Sequence, residues 1–274
     1  MNGMALKAAR EKAGWTQVRL ASRLGVTQAY LSMVESGRRR VPPRLVQRLA
    51  RLLELSPTML PVLAGPRSAV RPTNASFAAQ LARLGYPGFA YRARPGVVSH
   101  PAAVLLAALA FDDLEPRLVE ALPWLLLRYE GLDQQQLVAE AKVRDLQNRL
   151  GFMVALARRV AESKEGFAKR LPELRRLENA LEPSRLAREA TFGQGQAPDH
   201  LREWLSGART EEAKHWNLLT DLRVEHLPQA GWEYGRPRPA RARGLARPLL
   251  AVRRGRGTDE RVDVRPDLPG QKWD

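Results

Sequence analysis

Apolar residues recur every three or four positions in the N-terminal part of the chain, the spacing that places them on one face of a helix. Gly14, Gly25 and Gly37 follow three of these segments, at positions where a left-handed residue commonly ends a helix. Thr16 and Thr27 precede the second and third segments and are suitable N-terminal caps. The pattern predicts five short helices, over residues 4–12, 17–24 and 28–35, from 42–43 onward and from 56–57 onward.

Helical periodicity continues through the middle of the chain. Pro123 is expected to kink or divide one of the helices there, and Pro172 to interrupt another. Asp133 is expected to cap a single long helix that runs to about residue 163. The predicted segments are residues 101–111, 114–129, 133–163, 165–181, 198–205 and 210–222, with a loop at 191–198. Leu, Ala and Arg dominate and isoleucine is absent, which favours helix over sheet, so the predicted fold class is all-α.

Composition divides the chain into four regions. Residues 1–64 are expected to form a compact basic domain, 65–75 a linker and 76–230 a larger helical domain. Residues 231–274 are rich in Arg, Pro and Gly, and we expect a basic tail that is flexible or forms a short hairpin within 245–264. Because its arginines alternate with Pro, Ala and Gly, that tail is a candidate for an electrostatic contact with DNA phosphates, for a partner-binding segment or for an inert extension.

The formal net charge of +16 indicates a polyanionic partner, usually nucleic acid, although a general preference for Arg accounts for part of it. The absence of cysteine excludes disulfides, zinc sites with Cys ligands and Cys nucleophiles. No apolar run is long enough to cross a bilayer, so we expect a soluble cytoplasmic protein without a membrane partner.

The helix predicted at residues 28–35 has two distinct faces. Leu31 and Val34 fall on the side expected to meet the core. The opposite face consists of small or hydrogen-bonding side chains that can contact base edges in the DNA major groove, namely Gln28, Ala29, Ser32 and Met33.

The segments "AGWTQ" (13–17), "LGVTQAYLS" (24–32) and "ESGRR" (35–39) carry a specific resemblance. Residues 4–63 resemble the helix-turn-helix domain of the Cro/cI phage-repressor family, also called the xenobiotic-response-element family. The resemblance implies that Gln17 binds a phosphate and orients Gln28, and that Gln28, Ala29, Ser32 and Met33 face the bases. It further implies DNA-backbone contacts by Ser36, Arg38, Arg39 and Arg40.

No pattern in the remainder indicates a catalytic site or a cofactor. Glu211 and His215 stand four residues apart, as two metal ligands can, but no second histidine completes a known metal motif, so an ion pair or surface contact is favoured. Trp216, with Leu219, Leu222 and Leu227, is read as core in preference to a partner surface. We therefore expect neither a metal nor enzymatic activity.

The sequence thus predicts a DNA-binding transcriptional regulator, most simply an autoregulating repressor that binds double-stranded DNA as a homodimer. One alternative is an antitoxin-like protein that binds a co-expressed toxin or effector protein and represses its own operon. The other is a regulator that senses a small molecule through its helical domain.

Overall fold

Local capping signals set the helices of the N-terminal part in this computed structural model, which describes residues 3–61, 72–192 and 198–231. Thr16 and Thr27 accept hydrogen bonds from the backbone N–H groups of Arg19 and Tyr30, and so begin the second and third helices. Gly25 has a φ of 71° and ends the second helix. The four helices are α1 (Gly3–Lys12), α2 (Gln17–Leu24), α3 (Gln28–Glu35) and α4 (Pro43–Leu52).

The fifth predicted helix is only a 3-10 turn, Pro57–Met59. Ser56 caps it by accepting a hydrogen bond from the backbone N–H of Thr58. Pro61 has no N–H to donate to the carbonyl of Pro57, so an α-helix cannot continue there. The core of the N-terminal helices consists mainly of buried leucines, including Leu6, Leu20, Leu31, Leu49 and Leu53.

The rest of the described chain forms a larger helical part, here called the body, with a separate core. Its helices are α5 (Asn74–Arg83), α6 (Pro101–Leu109), α7 (Pro116–Arg128), α8 (Gln134–Val143), α9 (Gln147–Ser163), α10 (Leu171–Leu181), α11 (Asp199–Ala208) and α12 (Glu211–His215). Short 3-10 helices lie between them at Pro87–Arg92, Glu165–Arg170 and Glu182–Ser184, and after α12 at Val224–His226 and Pro228–Gly231. The two-residue strands β1 (Ala190–Thr191) and β2 (Leu218–Leu219) pair in parallel. The prediction of an all-α fold is confirmed.

Helix α9 is the centre of the body. It packs against α7, α8 and α10, and most of its residues are buried. Gly151 in this helix lies directly against the indole of Trp216, where a Cβ atom would collide with the ring. Trp216 is fully buried, and Leu219, Leu222 and Leu227 are buried as well, so these side chains belong to the interior.

The prediction of one long helix over residues 133–163 was wrong, because the chain forms α8 and α9 in its place. Asp133 does cap the first of them, accepting a hydrogen bond from the N–H of Gln136 at 2.9 Å. Asp145 then adopts a left-handed φ of 55°, and the N–H of Leu146 bonds back to the carbonyl of Ala141 at 2.9 Å. This break turns the chain so that Leu146 is buried.

Two other helices can be compared with their predicted bounds. Pro123 does not divide α7, which runs through it from Pro116 to Arg128. The helix predicted over residues 210–222 ends at His215, because Asn217 takes a φ of 49° and the chain then enters β2.

The N-terminal helices and the body belong to one unit of the chain. The amide of Gln47 on α4 makes two hydrogen bonds to the backbone of Val98, 2.9 Å to its carbonyl and 3.2 Å from its N–H. His100 is buried and its Nε2 lies 3.1 Å from the carbonyl of Thr58. Most of the linker predicted at 65–75, and nearly all of the tail predicted at 231–274 with its hairpin, lie outside the described residues, and the four-region division stays a prediction.

Candidate DNA-binding site

Helix α3 presents its two predicted faces as expected from the sequence. Leu31 and Val34 are 2% and 3% exposed and pack into the N-terminal core. On the opposite face Gln28 and Ala29 are exposed, Ser32 is partly exposed and Met33 is 37% exposed. The four residues predicted to contact bases therefore lie together on one accessible surface.

A chain of hydrogen bonds holds the first of these side chains in place. The amide nitrogen of Gln28 donates to the amide oxygen of Gln17 at 2.6 Å. The amide nitrogen of Gln17 donates in turn to Glu35 at 2.9 Å. Because an amide that donates at one end and accepts at the other has a defined orientation, Gln17 fixes which atoms of Gln28 point toward a ligand.

This series of hydrogen bonds ends at a buried ion pair between Arg10 and Glu35. Arg10 of α1 donates to the two carboxylate oxygens of Glu35 at 2.6 and 3.0 Å, and to the carbonyl of Trp15 at 2.7 Å. Arg10 and Glu35 are 6% and 3% exposed. Burial by itself raises the pKa of Glu35, but the hydrogen bonds from Arg10 and Gln17 outweigh it and leave that pKa below its usual value. Glu35 is thus a fixed negative anchor for Gln17.

The sequence did not predict a role for Arg10 or Glu35. A signal was present, since both residues occupy apolar-face positions of their helices: Arg10 is four residues after Leu6, and Glu35 is four residues after Leu31. Charged residues at such positions are almost always paired when buried, which points to a partner of opposite sign.

Gln17, one of the residues predicted to bind the DNA backbone, is partly exposed at the start of α2. The others follow α3 and are exposed, namely Ser36, Arg38, Arg39 and Arg40. The hydroxyl of Ser36 donates to the carbonyl of Met33 at 3.2 Å, and the N–H of Arg39 bonds to the same carbonyl at 3.0 Å. The guanidinium of Arg39 lies 5.0 Å from the centre of the Tyr30 ring. The turn therefore places three cations beside the exposed face of α3.

Glu211 and His215, the two possible metal ligands of the sequence, bind different partners. Glu211 pairs with Lys214 at 2.8 Å, whereas His215 pairs with Glu182 at 2.8 Å. Within the described ranges, no group of three or more His, Cys, Asp or Glu residues is arranged to hold a metal ion. None of the helices described here is both long and apolar enough to cross a membrane.

Comparison with known families decides what the N-terminal part is. Residues 6–60 match the family model described as helix-turn-helix, and the type is Cro/cI. The N-terminal part of the chain is a Cro/cI-type helix-turn-helix domain. No curated protein and no solved structure matches the chain. The helix-turn-helix domain supports a DNA-binding regulator in general.

Proposed function

We propose that this protein is a sequence-specific transcriptional regulator that binds double-stranded DNA with α3 in the major groove. The observation that carries the proposal is the fixed Gln28 side chain, held by Gln17 on the buried Glu35. A side chain oriented before binding loses less conformational entropy when it binds a base edge. It also presents one arrangement of donor and acceptor, which is the basis of sequence discrimination.

The exposed face of α3 supplies chemistry for several bases. Gln28 can bond the N6 and N7 atoms of one adenine, and the hydroxyl of Ser32 can donate or accept. Ala29 and Met33 are apolar and suit the methyl group of thymine. Gln17, Ser36 and the arginines at 38–40 surround this face and would bind phosphates, which positions the helix in the groove.

A homodimer that acts as a repressor completes the proposal. One helix in the major groove contacts only a few base pairs, so two copies on a two-fold site provide the specificity that a regulator needs. A repressor of its own gene is the simplest such arrangement, and it places the protein in the cytoplasm with the DNA. The body then supplies dimerisation.

Binding of the purified protein to the DNA upstream of its own gene tests this proposal. The assay compares that DNA with a shuffled duplex of equal length and composition over a salt series. We expect upstream-selective binding that persists near physiological salt, because base contacts do not depend on counterion release. Equal binding to both duplexes that disappears as salt rises would contradict the proposal.

A second candidate function is an antitoxin-like protein that also binds a toxin or effector protein. The observation that favours it is Trp204 on α11, a large apolar side chain that is 53% exposed. Exposed tryptophans are enriched as anchors at protein interfaces. Co-purification of a protein encoded in the same operon, lost in Trp204→Ala, would support this function. Retention of the partner by that variant would remove the reason for it.

A further inference from the structure

Positive charge is unusually unbalanced between Ser36 and Phe111. This stretch contains eleven arginines and a single carboxylate, Glu54. It crosses the boundary between the helix-turn-helix domain and the body, and so the excess of charge is not confined to the residues after α3.

Several arginines elsewhere in the body form ion pairs with carboxylates. Arg144, Arg158 and Arg159, for example, pair with carboxylates at 2.6–2.9 Å. No ion pair of the described residues involves an arginine between Ser36 and Phe111. The described arginines of this stretch therefore have no carboxylate partner within the part of the chain that the structure describes.

Three of the unpaired arginines line one face of α4. Arg44, Arg48 and Arg51 are separated by four and three residues, the spacing that aligns side chains along a helix, and all three are exposed. Like charges at this spacing destabilise an isolated helix by a few tenths of a kcal/mol per pair. The face is thus electrostatically unfavourable until an anion covers it.

Two arginines of the body precede its backbone contact with α4 by six and four residues. Gln47 of α4 binds the backbone of Val98 through both atoms of its amide, which holds Val98 against α4. Arg92 and Arg94 are exposed. Arg83 donates to the carbonyl of Arg94 at 3.2 Å, and so holds the backbone there in position. The Nε of Arg92 donates to the hydroxyl of its neighbour Tyr91 at 3.4 Å.

We propose that Arg92 and Arg94 bind DNA phosphates beside the site contacted by α3, so that the body is part of the DNA interface. Together with Arg44, Arg48 and Arg51 they form what we call the arginine strip. Exposed cations of this kind suit a DNA strand, which carries a phosphate every 3.4 Å along the helix axis. The inference extends the proposed function, because it assumes that α4 and α3 face the same duplex.

The salt dependence of binding by the full chain tests the arginine strip. The probe is a 40-base-pair duplex of fixed arbitrary sequence, so that no operator needs to be known. Each phosphate contact contributes about 0.9 to the slope of log K against log salt. We expect Arg92→Ala/Arg94→Ala to lower the magnitude of that slope by about 1.8 and to weaken binding at low salt at least tenfold.

The matched control is Arg175→Ala/Arg176→Ala, which removes the same charge from exposed positions on α10. A reduced net charge alone would change both variants equally, and that outcome would overturn the proposal. Arg92→Lys/Arg94→Lys keeps the charges and should retain the slope. If the lysine variant loses as much as the alanine variant, the effect is structural and the strip is not a phosphate contact.

The same variants separate this inference from the proposed function. If the wild-type protein fails to prefer its upstream DNA but the slope still falls only in Arg92→Ala/Arg94→Ala, the strip stands and sequence-specific regulation fails. If upstream selectivity holds and the strip variant behaves like the α10 control, the regulator stands and the strip is rejected.

Discussion

At the scale of single residues, the helix-turn-helix domain uses one buried ion pair to control an exposed side chain. Arg10 neutralises Glu35, Glu35 accepts from Gln17, and Gln17 accepts from Gln28. Each of the inner groups has a single arrangement because leaving a buried charge or amide unpaired costs about 1–3 kcal/mol or more. A different orientation of Gln28 would therefore break its hydrogen bond to Gln17 and disturb the buried groups that hold Gln17.

The variant Gln28→Ala tests this arrangement at the DNA. It should weaken binding to the preferred DNA by about 1–3 kcal/mol, roughly fivefold to 150-fold, because a two-point contact to a base edge is lost. Binding to a shuffled duplex should change little, since phosphate contacts remain. Gel-shift titrations on both duplexes measure the two effects.

Gln136→Ala serves as the control, because this glutamine is exposed on α8 in the body. It should leave both affinities at the wild-type level. An equal loss on the preferred and the shuffled duplex in Gln28→Ala would rule out the base contact.

At the scale of elements, the helix ends that have local caps lie where the sequence predicts them. The helix ends that depend on packing lie elsewhere. The bounds of α2 and α3 follow from Thr16 and Thr27 with their adjoining turns, all within one or two turns of helix. The break between α8 and α9 depends on burying Leu146 against the body, and nothing in the apolar spacing indicates it. The end of α12 likewise depends on β1, which lies far away in the sequence.

Packing also explains a glycine in the middle of α9. Gly151→Ala should destabilise the protein by about 1–3 kcal/mol, because the added methyl group overlaps the buried indole of Trp216. This reverses the usual effect of that substitution, which favours helix. Urea unfolding measured by circular dichroism gives the change in the free energy of unfolding.

The matched substitution is Gly207→Ala in α11, where an added Cβ meets no atom within 4 Å. That variant should be neutral or more stable than wild type by up to about 1 kcal/mol. The assignment of Gly151 as a packing residue fails if the two variants shift stability in the same direction.

At the scale of the whole molecule, the helix-turn-helix domain is attached to the body by specific polar contacts. Gln47 binds the backbone of Val98, and His100 bridges Thr58 to the start of α6. The Nδ1 atom of His100 accepts from the N–H of Ala102 at 3.1 Å, so Nε2 carries the proton and donates to Thr58. The neutral ring fits both partners, whereas a protonated ring would lose its acceptor.

This junction predicts a pH dependence of stability. Burial lowers the pKa of His100, despite the hydrogen bond to Thr58, which raises it. The unfolded chain therefore takes up a proton near pH 6.5 that the folded protein does not. The contribution of His100 is retained above about pH 6.5 and is lost as the pH falls toward its folded pKa, by at most about 1.4 kcal/mol per pH unit.

Urea unfolding at pH 7.5 and 5.5 checks this, with His100→Asn as the comparison. Asparagine keeps an acceptor for the start of α6 but does not titrate in this range. Wild type should lose more stability than the variant on acidification. The other histidines are present in both proteins, so their contributions cancel in the comparison. Identical losses of stability would mean that His100 does not contribute to the pH dependence.

The sequence by itself determined the helix-turn-helix domain and its accessible α3 face, because caps, glycines and a 3.6-residue period act within a few residues of one another. Only the tertiary structure decided the Arg10–Glu35 anchor, the packing of Trp216 on Gly151 and the contact of Gln47 with Val98. These contacts join residues distant in sequence, so helical periodicity carries no information about which of them meet.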